Sequence, residues 1–187
     1  MNKKTLALTE EQYHDIINTI RQGFSGCRPN HRIAAALVVE ANLGLRISDI
    51  LNLKLNDIVK DGDRFRLDIT EQKTGKKRTF TVLSDIYNYI KIYCLENSIK
   101  AHELVFPIKA RVIQKQLKIV CDYLGYEGIS THSFRKYFAT NIYKNNDYNI
   151  VLIQRLLQHS TPAVTQKYIG IEPKEVEDAL KKHSCLI

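Results

Sequence analysis

The chain has no tryptophan, one methionine, four prolines and four cysteines in 187 residues. Its longest purely apolar run, Ile33 to Val39, is seven residues. A membrane-spanning helix needs ~20, so no membrane partner is expected. No apolar signal-peptide core follows Lys3 and Lys4, and a cytoplasmic location is expected. Cys27, Cys94, Cys121 and Cys185 are widely spaced. They form neither a CxxC metal pattern nor a dense disulfide framework, so reduced thiols and no bound metal are expected. Cys185 is third from the end, which excludes a prenylation box. Internal repeats, low-complexity tracts and Ser/Gly-rich linkers are also missing. The length favours one domain over residues 1–187, long enough to bury a core without staples.

Positive charge, in contrast, is in surplus. Lys and Arg number 28 against 20 Asp and Glu, a net +8. Residues 1–59 carry 7 basic and 6 acidic side chains, residues 60–122 carry 13 and 8, and residues 123–187 carry 8 and 6. The excess therefore sits mainly in the middle third. Such a balance permits a nucleic-acid partner without requiring one.

Periodicity predicts a mostly helical α+β chain. Thr9 and Gln12 fit a capping box opening a helix to about Gln22. An apolar helix spans Asn30 to Leu43 and stops at Gly44. A short helix covers Ile47 to Leu53. Alternation over Asp63–Ile69 and Lys77–Val82, with a Gly-bearing turn between, reads as a β-hairpin, joined by a short strand near Asp57–Val59. That gives about three antiparallel strands. Further helices are expected at Ser84–Asn97, Arg111–Leu124, Ser133–Lys144, Ile150–Leu157, Pro162–Tyr168 and Pro173–Lys182.

Several polar residues sit awkwardly for pure structure. Arg46 opens a helix, where the macrodipole disfavours a cation. It needs an anionic partner, either Asp49 or another carboxylate, or an external anion. His132 and Arg135 lie three apart at another helix start, which suits an anion site or a surface Arg beside a capping His. His159 precedes a turn and reads by itself as a structural histidine. Tyr168 reads by itself as a packing residue. Lys73 sits in the hairpin turn beside Lys76, Lys77 and Arg78, a solvated tip or a phosphate contact. Arg111, Lys115 and Lys118 recur at helical spacing and make a basic face.

Taken in chain order, the contexts GLRISD, QKTGKKR, HSFR, LLQHS and VTQKY closely resemble the catalytic domain of the tyrosine recombinases, the phage-integrase superfamily. The resemblance spans about Ile33 to Gly170. It implies that Tyr168 attacks a DNA phosphodiester, giving a 3′-phosphotyrosyl enzyme and a free 5′-hydroxyl. It implies that Arg46 and Arg135 grip the non-bridging oxygens, that Lys73 protonates the leaving oxygen, and that His132 and His159 assist. Asp49 would orient the site. No metal, ATP or other cofactor is implied. The partner would be double-stranded DNA, contacted by Lys76, Lys77, Arg78, Arg111, Lys115 and Lys118. A homotetramer on DNA, monomeric in free solution, would follow, with the tail at 171–187 docking on a neighbouring subunit. The alternative is a tail folded back in cis.

Two departures from the family stand out. Gln158 occupies the place where glycine usually precedes the second histidine. No N-terminal clamp domain fits ahead of Arg46, which leaves a catalytic fragment or a short recombinase resembling the fimbrial-switch invertases. Two other functions compete: a relaxing topoisomerase of the type IB kind, and a non-catalytic DNA-binding regulator using Ile150–Ile169 as a helix-turn-helix.

Overall fold

A computed structural model describes residues 5–169, which fall into two compact units, 5–138 and 139–169. In the first unit, α1 (Glu10–Gln22) starts on the expected capping box: the Thr9 hydroxyl accepts from Gln12 N–H, and the Gln12 side chain accepts from Thr9 N–H. Ile16, Ile17 and Ile20 repeat at helical spacing and are buried. Asn30 caps α2 (His31–Leu43), an almost wholly buried helix that ends at Gly44 in the left-handed region, φ 58°. Arg46 then stands at the N-cap of α3 (Ile47–Leu51). This helix stops two residues short of the expected Leu53. Beyond it, the carbonyl of Leu53 accepts from Val105 N–H at 2.8 Å, and Lys54 pairs with Leu104 as an isolated β-bridge.

A short 3-10 turn, Leu55–Asp57, leads into β1 (Ile58–Asp61). It pairs antiparallel with β2 (Arg64–Thr70), which pairs antiparallel with β3 (Lys77–Val82), in sheet order β1-β2-β3. Leu67 faces both Ile58 and Phe80 in register, so one face of the sheet is apolar. Helix α4 (Ser84–Glu96) and helix α5 (Ala110–Leu124) follow. The core gathers Ile16 and Ile20 of α1, Ile33 and Leu37 of α2, Ile113 and Leu117 of α5, and Phe134. Phe134 belongs to α6 (Thr131–Asn145), which runs on past the unit boundary.

The second unit holds the end of α6, then α7 (Ile150–Leu157) and α8 (Pro162–Ile169), packed on each other. Asn149 caps α7 by accepting from Leu152 N–H. The expected helix Pro173–Lys182 and the tail at 171–187 lie outside the described residues, as does Cys185. Cys27, Cys94 and Cys121 are buried free thiols. Among the described residues, no helix is long and apolar enough to cross a membrane, and no cluster of three His, Cys, Asp or Glu could hold a metal ion.

Candidate active site

The first unit brings α3 and the β2–β3 hairpin together through two links. Arg46 Nη1 donates to Glu71 Oε2 at 2.6 Å. Gln72 N–H donates to Asp49 Oδ1 at 2.8 Å. Arg46 and Asp49 are three residues apart at the start of one helix, so both can grip the same stretch of chain. The partner of Arg46 is therefore Glu71, not Asp49.

Glu71 is the residue that sequence reasoning missed. It is 2% exposed. Oε1 accepts from Arg78 Nη1 at 3.0 Å, and Oε2 accepts from Thr74 Oγ1 at 2.8 Å as well as from Arg46. Burial would push its carboxyl pKa up. The hydrogen bonds from Thr74 and Arg46, with the charges of Arg46 and Arg78, outweigh burial and hold it below the ordinary 4.5.

Arg78 was expected at the DNA, but it is 1% exposed, paired to Glu71 and lying over the Phe80 ring at 5.1 Å. Strand alternation explains this: residues 78, 80 and 82 point to one face, and Phe80 and Val82 mark that face as inward. That placement removes Arg78 from the DNA-contacting set. Burial pushes its pKa down to about 10, helped by the charges of Arg135 and Arg46 and opposed by Glu71. It stays protonated at neutral pH.

Arg135 is 1% exposed on α6 and lies within electrostatic reach of Arg78 and of Glu40. Glu40, on α2, is fully enclosed. Burial raises its pKa well above 4.5, against the pull of Arg135. His132, three residues before Arg135, is exposed. The turn into α6 closes through Ser133, whose hydroxyl accepts from Ser130 N–H at 3.1 Å.

Lys73, Lys76 and Lys77 are exposed on and beside the hairpin turn. The turn is fastened at its root: Glu71 N–H donates to Lys76 carbonyl at 3.0 Å, and Gly75 N–H donates to Glu71 carbonyl at 2.9 Å. Arg111, Lys115 and Lys118 are exposed on α5, with Lys118 ion-paired to Asp122 at 2.7 Å.

In the second unit, His159 and Tyr168 meet edge to face, ring centroids 5.0 Å apart at 71°. Gln158 ends α7 in the left-handed region at φ 54°, the conformation that glycine adopts without strain. That turn aims His159 at α8, where its Nδ1 lies 3.1 Å from Thr165 Oγ1. Thr165 is fully buried, and its hydroxyl donates to Thr161 carbonyl at 3.5 Å.

The sequence matches the phage integrase family over residues 7–175. A probable integrase/recombinase of Bacillus subtilis, YoeC, is 34% identical over 160 residues, covering 81% of this chain and 84% of that protein. The tyrosine recombinase XerA of Pyrococcus furiosus is 29% identical over 194 residues, covering 98% of this chain and 64% of XerA. The tyrosine recombinase XerC of Caldanaerobacter subterraneus is 27% identical, covering 94% of this chain and 50% of XerC. The chain thus spans about half to two thirds of the Xer relatives. In fold it resembles the catalytic domain of bacteriophage HP1 integrase, with a TM-score of 0.66 at 19% identity, covering 95% of each chain. It also resembles XerH bound to its palindromic difH substrate after cleavage, with a TM-score of 0.70 at 19% identity, covering 96% of this chain and 54% of XerH. Matching the family over residues 7–175 and 34% identical to a probable integrase/recombinase, the chain belongs to the phage integrase family of tyrosine recombinases.

Proposed function

We propose that the protein is a site-specific DNA recombinase that breaks and rejoins double-stranded DNA through Tyr168. Its phenolic oxygen forms a bond to the scissile phosphorus and the 5′-oxygen leaves, giving a 3′-phosphotyrosyl link. A 5′-hydroxyl later reverses the step, so no ATP is consumed. Arg46 and Arg135 hold the non-bridging oxygens through guanidinium forks and stabilise the charge that builds in the transition state. Lys73, exposed on its turn, gives the leaving 5′-oxygen its proton. A free tyrosine ionises near ~10, so the phenol needs help at neutral pH. His132 and His159 assist proton transfer and bind the phosphate, and Asp49 fixes the hairpin against α3. Lys76, Lys77, Arg111, Lys115 and Lys118 contact the DNA backbone. On its site the protein assembles as a homotetramer in the cytoplasm of a bacterial or phage-infected cell, with the tail at 171–187 exchanged between subunits.

The observation that carries this reading is the gathering of Arg46 and Arg135, from separate helices, at one charge cluster. The test is a nicked duplex carrying the recombination junction that flanks the encoding gene. Incubation in EDTA should yield a covalent adduct that survives denaturation, is absent in Tyr168→Phe and drops steeply in Arg135→Ala. An adduct that persists in Tyr168→Phe overturns the nucleophile. DNA binding with no adduct favours a regulator.

A further inference from the structure

Glu71 is placed where two parts of the proposed machinery meet, and this rests on the recombinase reading above. Its Oε2 takes the Arg46 guanidinium and the Thr74 hydroxyl at once, 2.6 and 2.8 Å away. Its backbone closes the turn that carries Lys73, with Lys76 and Gly75 as partners. Its Oε1 is held by the buried Arg78, which leaves the carboxylate no freedom to turn away. Among the described residues, the one hydrogen bond that the Arg46 guanidinium makes is donated to Glu71, so this carboxylate sets where the rest of the fork points. We propose that Glu71 is a positioning residue for strand cleavage: its carboxylate aims Arg46 and ties the Lys73 turn to it.

A single side chain thereby sets two distances that the reaction needs together. One is from the Arg46 fork to the phosphate. The other is from the Lys73 ammonium to the leaving oxygen. Arg78 contributes by position alone: it is buried, and it keeps Glu71 facing the turn.

The test uses the full chain and the nicked duplex above, with single-turnover adduct formation measured per folded molecule at saturating DNA. Wild-type protein must first form the adduct; failure there removes the recombinase reading and leaves the role of Glu71 a separate question. The informative variant combines Glu71→Met with Arg78→Met. It exchanges the buried Glu71–Arg78 ion pair for two apolar side chains of similar length, and the one charge left without its partner is Arg46, whose side chain is part-exposed. Thermal unfolding and DNA affinity should stay near wild type, while adduct formation slows roughly 10- to 100-fold, the scale of a ~1 Å misplacement. A rate within about threefold of wild type, or a loss confined to DNA affinity, overturns the proposal.

A second arm stands even where the double variant unfolds. Thr74→Val removes the hydroxyl's donation to Glu71 Oε2 at 2.8 Å and its longer contact from Lys76 N–H at 3.3 Å, and leaves the Arg46–Glu71–Arg78 pairing in place. It should slow cleavage of the ordinary duplex and regain the wild-type rate when the scissile 5′-oxygen is replaced by sulfur, because a thiolate departs without a proton from Lys73. A Thr74→Val protein that is not slowed, or that stays equally slow on the sulfur-bridged duplex, refutes the tie to Lys73.

Discussion

Gly44 faces the ring of Phe138 so closely that a β-carbon on residue 44 would lie inside the van der Waals shell of three ring carbons. The same residue holds φ 58° at the end of α2, two positions before Arg46. Gly44→Ala is therefore doubly penalised. The left-handed backbone costs ~1–2 kcal/mol, and the overlap adds about 1–3. Urea unfolding should report a loss of roughly 3 kcal/mol. A loss below about 1 kcal/mol would mean that Phe138 swings away freely.

Glu40 should make stability fall as pH rises. Its folded pKa is raised by burial, so the folded protein binds that proton more tightly than the unfolded chain does. Its contribution is fully present below the ordinary 4.5 and is lost as pH climbs through the folded value. The limiting slope is about 1.4 kcal/mol per pH unit. Glu40→Gln keeps the shape and cannot ionise. Urea titrations at several pH values from mildly acidic to alkaline should give a flatter stability profile for the variant. Parallel profiles would show that Glu40 stays ionised beside Arg135.

Thr165→Val tests the aim of His159. The substitution preserves volume in a fully buried position and removes the oxygen 3.1 Å from Nδ1. Adduct formation should slow roughly tenfold, less than the 10²–10⁴ that a whole acid–base group supplies. The pH profile of cleavage should move with it. An unchanged rate and profile would leave the Thr165 contact without influence on the site.

The basic face of α5 should appear in salt titrations of DNA binding. Arg111→Ala and Lys115→Ala should each reduce the slope of log affinity against log salt by about 1. Lys118→Ala should reduce it less, because Asp122 already neutralises Lys118 at 2.7 Å. Three equal reductions would mean that the Asp122 pair opens when DNA arrives. No reduction at any of the three would make the face merely solvated.

Local pattern carried the secondary structure far. The Thr9 capping box, the stop at Gly44 and the strand Lys77–Val82 are all present. Each is decided by residues a few positions apart. Where a distant partner decides, the sequence is silent. Past the end of α3, the Leu53 carbonyl is taken by Val105, 52 positions on. Glu71 follows an alternating strand, and no neighbour in sequence marks it. Only the fold brings it Arg46, which lies 25 residues away. Arg78 is different, since its signal was there: it shares strand parity with Phe80 and Val82. Gln158 takes up the left-handed turn expected of glycine, so the departure from the family's residue is not a departure in backbone shape.

The Arg46–Glu71–Arg78 arrangement also bears on how chimeras of this protein could be assembled. The β2–β3 hairpin looks like a portable unit, bounded by its own two strands. Its innermost carboxylate is nevertheless completed by a side chain from α3. A hairpin taken from a relative would arrive with an anchor matched to a different neighbour, or leave Arg46 without one. The seam of a workable exchange therefore runs through α3, and residues 46, 71, 74 and 78 have to travel as one cassette.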